Sequence, residues 1–230
     1  MLSVREMSAH YGEATVLQGV SLDVASGEVV TLVGRNGAGK TTLLRCLMGL
    51  HRSMTGAILL DGTDIARLGS HKRCRLGLGY VPDDRGIYAT LTVEENLTLP
   101  PRTGPDAWSL QRIYEAFPVL KARRKQAGTH LSGGEQQMLS VARVLRMGAR
   151  LLLADEPTEG LSPILVQQIG DIIRTVSQHG VTVLLIEQNI HFATTVADRH
   201  YLMSQGRIVE SLDNAEVEQR EHELLEYLGI

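Results

Sequence analysis

Apolar positions along the chain come in short runs separated by glycine, proline and acid, and their spacing alternates between strand-like and helical. Val16 to Val24 reads as a strand, turned at Gly27. Glu28 to Val33 is a short β-rich run that leads directly into a glycine-rich segment. After Lys40, the positions Leu43, Leu44, Leu47 and Met48 fall on one helical face. Gly56 to Leu60 reads as another strand, closed by the turn pair Asp61-Gly62. Leu76 to Val81 forms the next apolar run, and Pro82 stops it.

The stretch from about 84 to 130 has a different pattern. It is polar and punctuated by Pro100, Pro101, Pro105 and Pro118, and short helical pieces such as 109–117 fit it better than strands. It reads as a helical insert. Beyond it, Gly134 to Met147 predicts a helix, Leu151 to Ala154 a buried strand, Ile164 to Ser177 a helix and Val181 to Ile186 another buried strand. Tyr201 to Met203 and Arg207 to Val209 predict a hairpin across Gln205-Gly206, and Glu216 to Leu228 a charged amphipathic helix. Strands that are apolar throughout and alternate with helices predict a mostly parallel α/β core.

Composition narrows the function. The chain has 230 residues, 43% of them hydrophobic, enough for one large core or a core with a small lobe. Net charge is -3, which argues against nucleic-acid backbone as the main ligand, and 4% aromatic content with Trp108 as the single tryptophan offers no base-stacking platform. Cys46 and Cys74 do not make a disulfide framework, so a reducing compartment is expected. The eight histidines are scattered and show no zinc spacing. No apolar run is long enough to span a bilayer, and the N-terminus has no secretory apolar region. The expectation is a cytosolic protein that can still dock onto a membrane protein.

Two segments carry chemistry on their own residues. Gly34-Arg35-Asn36-Gly37-Ala38-Gly39-Lys40-Thr41 satisfies G-x-x-x-x-G-K-[ST] between a strand and a helix, as a phosphate-binding loop requires. Gly34, Gly37 and Gly39 let main-chain N–H groups converge on phosphate oxygens, and the helix that follows adds its positive end. Lys40 is a cation for the β- and γ-phosphates, Thr41 offers a hydroxyl to Mg2+, and Thr42 adds a phosphate hydrogen bond. Asp155 and Glu156 end the run Leu151-Leu152-Leu153-Ala154, where a carboxylate is expensive to bury. Asp155 suits a contact to Mg2+, and Glu156 is placed to orient the water that attacks the γ-phosphoryl group. A third segment, Leu131-Ser132-Gly133-Gly134-Glu135-Gln136-Gln137, has no obvious chemical job within its own subunit and, read alone, is an ordinary helix cap and turn.

Taken together and in this order, the three segments resemble the ATP-binding-cassette family, with Leu131 to Gln137 similar to its signature loop. The resemblance runs from about residue 2 to 229. It implies an α/β fold with a P-loop NTPase core on a mostly parallel sheet, an N-terminal antiparallel β portion, and a helical lobe at about 84–148 within a single domain spanning 1–230. It implies a dimer in which Ser132, Gly133, Gly134 and Glu135 of one subunit close over the ATP held by Asn36, Gly37, Ala38, Gly39, Lys40 and Thr41 of the other. Tyr11 stands where the family has an adenine-stacking aromatic.

The chain departs from the common family pattern in three places. Asp83 replaces a glutamine, Gln188 replaces a histidine, and Thr158-Glu159-Gly160-Leu161-Ser162-Pro163 lacks the usual aspartate. With Val81-Pro82-Asp83-Asp84-Arg85, Leu91 to Leu97 and Ile186-Glu187-Gln188-Asn189, these departures resemble the ATPase subunits of bacterial branched-chain amino acid importers, and urea or short-amide importer relatives look similar. The resemblance thus assigns Asp83 to the Mg2+ or attacking water and Gln188 to the γ-phosphate. It implies permease subunits in the cell membrane, a second cassette subunit (identical or paralogous) and an extracytoplasmic binding protein as partners, and a position on the inner face of the membrane. A soluble cassette acting as a regulatory or repair switch is the alternative of another class. A partner subunit with weak catalysis is a further one.

Overall fold

The computed structural model describes residues 1–228. The chain opens with β1 (Leu2–Tyr11), β2 (Ala14–Val24) and β3 (Val29–Val33), then α1 (Lys40–Met48), β4 (Met54–Leu60), β5 (Thr63–Asp64), α2 (Ser70–Arg75) and β6 (Leu78–Val81). The helical stretch follows with α3 (Val93–Thr98), α4 (Leu110–Ala116), α5 (Pro118–Ala122), a short 3-10 turn at Gly128–His130 and α6 (Gly133–Met147). The last part runs β7 (Leu151–Asp155), α7 (Pro163–Gln178), β8 (Thr182–Glu187), α8 (Ile190–Val196), β9 (Arg199–Ser204), β10 (Arg207–Asp213), α9 (Asn214–Gln219) and α10 (Glu221–Leu228).

The strands form a four-stranded antiparallel sheet in the order β2-β1-β4-β5 and a six-stranded sheet in the order β10-β9-β3-β8-β7-β6. In the larger sheet every neighbouring pair is parallel except β9 with β10. β7 and β8 are buried along their whole length, which explains their unbroken apolar sequences. Their residues divide between cores with the two-residue period of a strand. Leu151, Leu153, Leu184 and Ile186 pack toward α1 and the antiparallel sheet, whereas Leu152, Ala154, Val183 and Leu185 pack toward α6 and α7. A smaller cluster joins Val33, Ile190 and Leu202 to α9 and α10 through Val217, Leu224 and Leu228.

The structure corrects several expected boundaries. The run from Leu76 begins later as a strand, because Leu76 caps α2 and Gly77 turns in the left-handed region at φ 95°. The hairpin strands near Tyr201 and Arg207 are longer than the apolar pattern suggests, reaching Ser204 and Asp213. The tail is not one helix. Asp213 starts α9 through a reciprocal cap with Glu216, and the chain breaks at Arg220, whose guanidinium is held by Glu210 and Glu223. β1 has no clean alternation to read, since its pairing slips between Val4 and Met7, where Glu6 adopts φ 48°.

Candidate active site

β3 delivers the chain to Gly34, where a Cβ would lie 2.4 Å from the Met203 carbonyl oxygen of β9. Only glycine allows that close approach. Gly37 and Gly39 take φ 81° and 105°, and the loop closes on itself with Ala38 N–H donating to Arg35 O at 3.1 Å. Gly206, in the β9–β10 turn, donates its N–H to Ala38 O at 2.9 Å and so fixes the loop from outside. Lys40 opens α1 and is buried. Its ammonium donates to Gly34 O at 2.7 Å and Arg35 O at 3.1 Å, and pairs with Glu156 Oε1 at 2.9 Å.

Asp155 ends β7 at 2% exposure. Its Oδ1 accepts from Thr41 Oγ1 at 3.1 Å and its Oδ2 from Tyr80 OH at 3.0 Å. Burial pushes its pKa up, with the Glu156 and Asp83 charges acting the same way and the Tyr80 and Thr41 hydrogen bonds opposing. Burial, reinforced by Asp155, likewise raises the pKa of the Tyr80 phenol, which keeps it a donor. Glu156 leaves the strand in the left-handed region at φ 42°, and its N–H donates to Ile186 O at 3.0 Å. That bond continues the parallel β7–β8 ladder by one rung, and the Glu156 side chain pairs with Lys40. Strain of this kind in a non-glycine residue persists where the surroundings over-determine it.

β8 lies between β3 and β7 and ends in a further carboxylate. Glu187 is 2% exposed and accepts from Thr158 Oγ1 at 2.9 and 3.0 Å. Burial raises its pKa to about 7, the Glu156 charge adds to the rise, and hydrogen bonds from Thr158 and Asn189 oppose it.

Asn36, Gly37, Gly39, Lys40, Thr41, Thr42 and Glu156 line one cavity of about 380 Å3. Glu156 also borders an adjoining cavity of about 410 Å3 that includes Gln188 and Glu187. Asp83 is exposed, accepts from Asp84 N–H at 2.9 Å, and acts on Asp155 only through its charge. Tyr11 is 45% exposed with its ring centroid 4.3 Å from that of His51, outside the lining of the phosphate-loop cavity.

The structure does not bring Ser132, Gly133, Gly134 and Glu135 to this cavity. They form the start of α6, where Ser132 Oγ accepts from Glu135 N–H at 3.3 Å and Glu135 Oε2 accepts from Ser132 N–H at 2.8 Å. Glu135 is further paired with Arg123 at 3.3 Å, while Ser132 is exposed. Gly134 has a packing reason of its own, since a Cβ there would lie 2.3 Å from Gln168 Oε1 on α7.

Residues that sequence reasoning passed over are Tyr80, Glu187 and Thr158. Glu187 carries the same signal as Asp155, an acid closing a wholly apolar strand, whereas Tyr80 becomes visible only through the β6–β7 register that sets it beside Leu153.

The donors fit a Mg2+–nucleotide. No cluster of three or more acids, histidines and cysteines able to hold a metal exists among the described residues. Asp155 with the Thr41 hydroxyl instead gives the all-oxygen, one-carboxylate set that Mg2+ uses when phosphates complete its shell. The glycine loop, with Gly37 and Gly39 in the left-handed region at the cavity and Lys40 buried beside them, fits phosphate.

Residues 17–159 match the family model described as ABC transporter. The chain is 44% identical over 212 residues to the high-affinity branched-chain amino acid transport ATP-binding protein BraG of Pseudomonas aeruginosa, covering 91% of each. It is 38% identical over 232 residues to the probable branched-chain amino acid transport ATP-binding protein LivF of Archaeoglobus fulgidus, covering 99% of this chain and 98% of the relative. It is 35% identical to the lipopolysaccharide export system ATP-binding protein LptB of Escherichia coli, over 99% of this chain and 97% of that one. Among solved structures, an ATP-binding subunit of an ABC transporter superimposes with a TM-score of 0.81 at 26% identity over the full length of both chains. An ATP-binding cassette in its ADP conformation superimposes with a TM-score of 0.82 at 21% identity, over 95% of this chain and 93% of that one.

Proposed function

This chain belongs to the ABC transporter family, as an ATPase whose hydrolysis is coupled to transport, and from that premise we propose that it powers a bacterial importer of branched-chain or other hydrophobic amino acids. The observation that carries the reading is the meeting at one cavity of Lys40 and Thr41, placed by the start of α1, with Glu156, placed by the end of β7, and with Asp155 bonded to Thr41 behind them. The 44% identity to a branched-chain amino acid transport subunit, against 35% to a lipopolysaccharide export subunit, supports import over export.

The triphosphate lies along the Gly34–Thr41 loop with its oxygens on main-chain N–H groups. Lys40 exchanges its Glu156 partner for the β- and γ-phosphate oxygens. Glu156 is then released to accept a hydrogen bond from the attacking water and to orient it in line with the γ-phosphorus. The bond from water oxygen to phosphorus forms as the bridge to the β-phosphate breaks, and the water proton leaves toward Glu156. Asp155 and Thr41 would hold Mg2+, which supplies neutralisation of the phosphate charge. Gln188 donates an amide hydrogen bond to the γ-phosphate, and Asp83 approaches from the loop after β6. Positioning and electrostatics carry the rate.

Ser132 and the Gly133–Gly134 main chain act on the nucleotide of a second cassette subunit, identical or paralogous. The exposure of Ser132 at the start of α6, away from the cavity of its own chain, supports that arrangement. Tyr11 would stack on adenine from the side of the antiparallel sheet. The helical lobe at about 84–148, with the loop from Asp83 to Tyr88 at its margin, docks a permease coupling helix, which holds the chain at the inner face of the membrane. An extracytoplasmic binding protein supplies substrate to the permease.

The test is ATP hydrolysis by the complex copurified with its permease. Stimulation by leucine and not urea is expected, and the reverse replaces the substrate class with short amides. In the same complex, Glu156→Gln is expected to reduce turnover at least a hundredfold, on the scale of general-base loss; turnover equal to wild type would remove Glu156 from the mechanism.

A further inference from the structure

The loop after β6 and the first half of α6 are fastened together more firmly than either element needs. Arg85 takes φ 64°, a left-handed conformation that a side chain rarely adopts. The loop secures it with Arg85 N–H donating to Pro82 O at 3.0 Å and Gly86 N–H to Asp84 Oδ1 at 3.0 Å. That backbone turn sends the guanidinium across to α6, where Nη1 donates to Gln136 Oε1 at 2.6 Å. The far side of the same amide is spent on the segment that leads into the helix. Gln136 Nε2 donates to Gly128 O at 3.1 Å and Leu131 O at 3.3 Å. Arg85 Nη2 also lies against Gly133, 3.4 Å from where a Cβ would stand.

Further along α6, Arg143 donates to Gly86 O and lies 4.4 Å over the Tyr88 ring. Gln136 and Arg143 are two helical turns apart, so both fastenings fall on one face of α6. Tyr88 is in turn fixed to the fully buried Asn96, which accepts from Tyr88 N–H at 2.8 Å and donates to Tyr88 O at 2.9 Å.

We propose that Arg85 is a positioning residue that makes the Asp83 loop and the Ser132 end of α6 one moving part. The Asp83 loop follows directly on β6, whose Tyr80 holds Asp155 at 3.0 Å in the phosphate site of its own subunit, and Ser132 acts on the nucleotide of the partner. A displacement of the loop by one nucleotide is therefore carried through Arg85 and Gln136 to the contact made on the other. The short route has to be made by side chains, since the chain path between Arg85 and Gln136 runs through the whole helical stretch, α3 to α5; Arg143 ties the loop to the later part of α6, and Arg85 is the tie nearest Ser132. This inference rests on the reading that Ser132 acts across a cassette dimer.

The experiment uses the complex with its permease and compares Arg85→Ala, Arg85→Lys, Arg85→Gly, Gln136→Ala, the Arg85→Ala/Gln136→Ala pair and Ser132→Arg. Arg85→Ala is expected to lower kcat about tenfold, the scale of one lost charge-assisted hydrogen bond. ATP affinity and KM should stay within about twofold, since the phosphate loop is untouched. Arg85→Lys keeps a donor and should recover part of the loss. The double variant should be no slower than the slower single one, because both substitutions remove the same link. Arg85→Gly, which keeps the left-handed turn without strain, should be as slow as Arg85→Ala, separating the guanidinium from the backbone. Wild-type kcat in Arg85→Ala, a loss confined to ATP affinity, or losses that multiply in the double variant would each overturn the proposal. If Ser132→Arg abolishes hydrolysis while Arg85→Ala does not slow it, the linkage alone falls. If Ser132→Arg hydrolyses ATP normally, the dimer reading falls and the linkage with it.

Discussion

Replacing Glu187 by glutamine probes the price of a buried acid beside the nucleotide cavity. The carboxyl is 2% exposed and its pKa rises from 4.5 to about 7, first because burial disfavours the anion. A folded pKa above the unfolded one means that the native state binds the proton more tightly. The contribution to stability is thus complete below about pH 4.5 and is lost as pH rises to about 7. At ~1.4 kcal/mol per pH unit of separation, the fully ionised side chain costs the fold about 3 kcal/mol.

Glutamine cannot ionise and keeps one oxygen for the Thr158 hydroxyl. Its amide hydrogens face donors that the carboxylate had satisfied, a mismatch of about 1 kcal/mol. The variant should match wild type near pH 5 and exceed it by about 2 kcal/mol near pH 8, which for a chain of this length is a rise in melting midpoint of about 4–8 °C. Urea or thermal unfolding of both proteins across that range is the assay, and groups that titrate equally in both cancel in the difference. A difference that stays flat with pH would refute the reasoning, because it would mean that Glu187 folds as an ordinary solvated acid.

Other substitutions separate packing from chemistry. Gly34→Ala drives a Cβ against a backbone carbonyl, so it should cost about 1–3 kcal/mol and weaken ATP binding. Gly37→Ala meets open space and should cost only the left-handed backbone, about 1 kcal/mol; equal midpoints for the two variants would remove the Met203 contact as the reason for Gly34. Tyr80→Phe leaves Asp155 with Thr41 as its side-chain donor and should lose about 1–2 kcal/mol while raising the Mg2+ concentration needed for half-maximal hydrolysis. An unaltered Mg2+ requirement would show that Tyr80 does not orient the Asp155 carboxylate.

The parts of the site readable from sequence are those set by local spacing. The glycines of the phosphate loop stand at fixed offsets between a strand and a helix, and Asp155 and Glu156 close an apolar run. Parallel strands were readable for the same reason, since β7 and β8 have no polar face to present. Contacts that depend on register or on distant segments were not. Tyr80 meets Asp155 across paired strands, and Arg85 meets Gln136 across the intervening helices. β1 was hidden because its bulge at Glu6 breaks the alternation, and α2 because six residues of mostly polar sequence carry no helical period. The signature segment shows why a motif alone leaves a role open, since Ser132 and Glu135 are also a complete reciprocal cap for α6.

With β8 inserted between β3 and β7, the lysine-bearing loop and the Asp155–Glu156 pair are kept apart by a spacer of one strand. Their separation is therefore gauged in main-chain hydrogen bonds, about two inter-strand steps or roughly 10 Å between the flanking strands, whatever side chains fill the sheet. Drift in the surrounding loops can retune what the molecule docks to without altering that calibre. A change that slips β8 by one residue would turn Glu187 to the opposite face of the sheet.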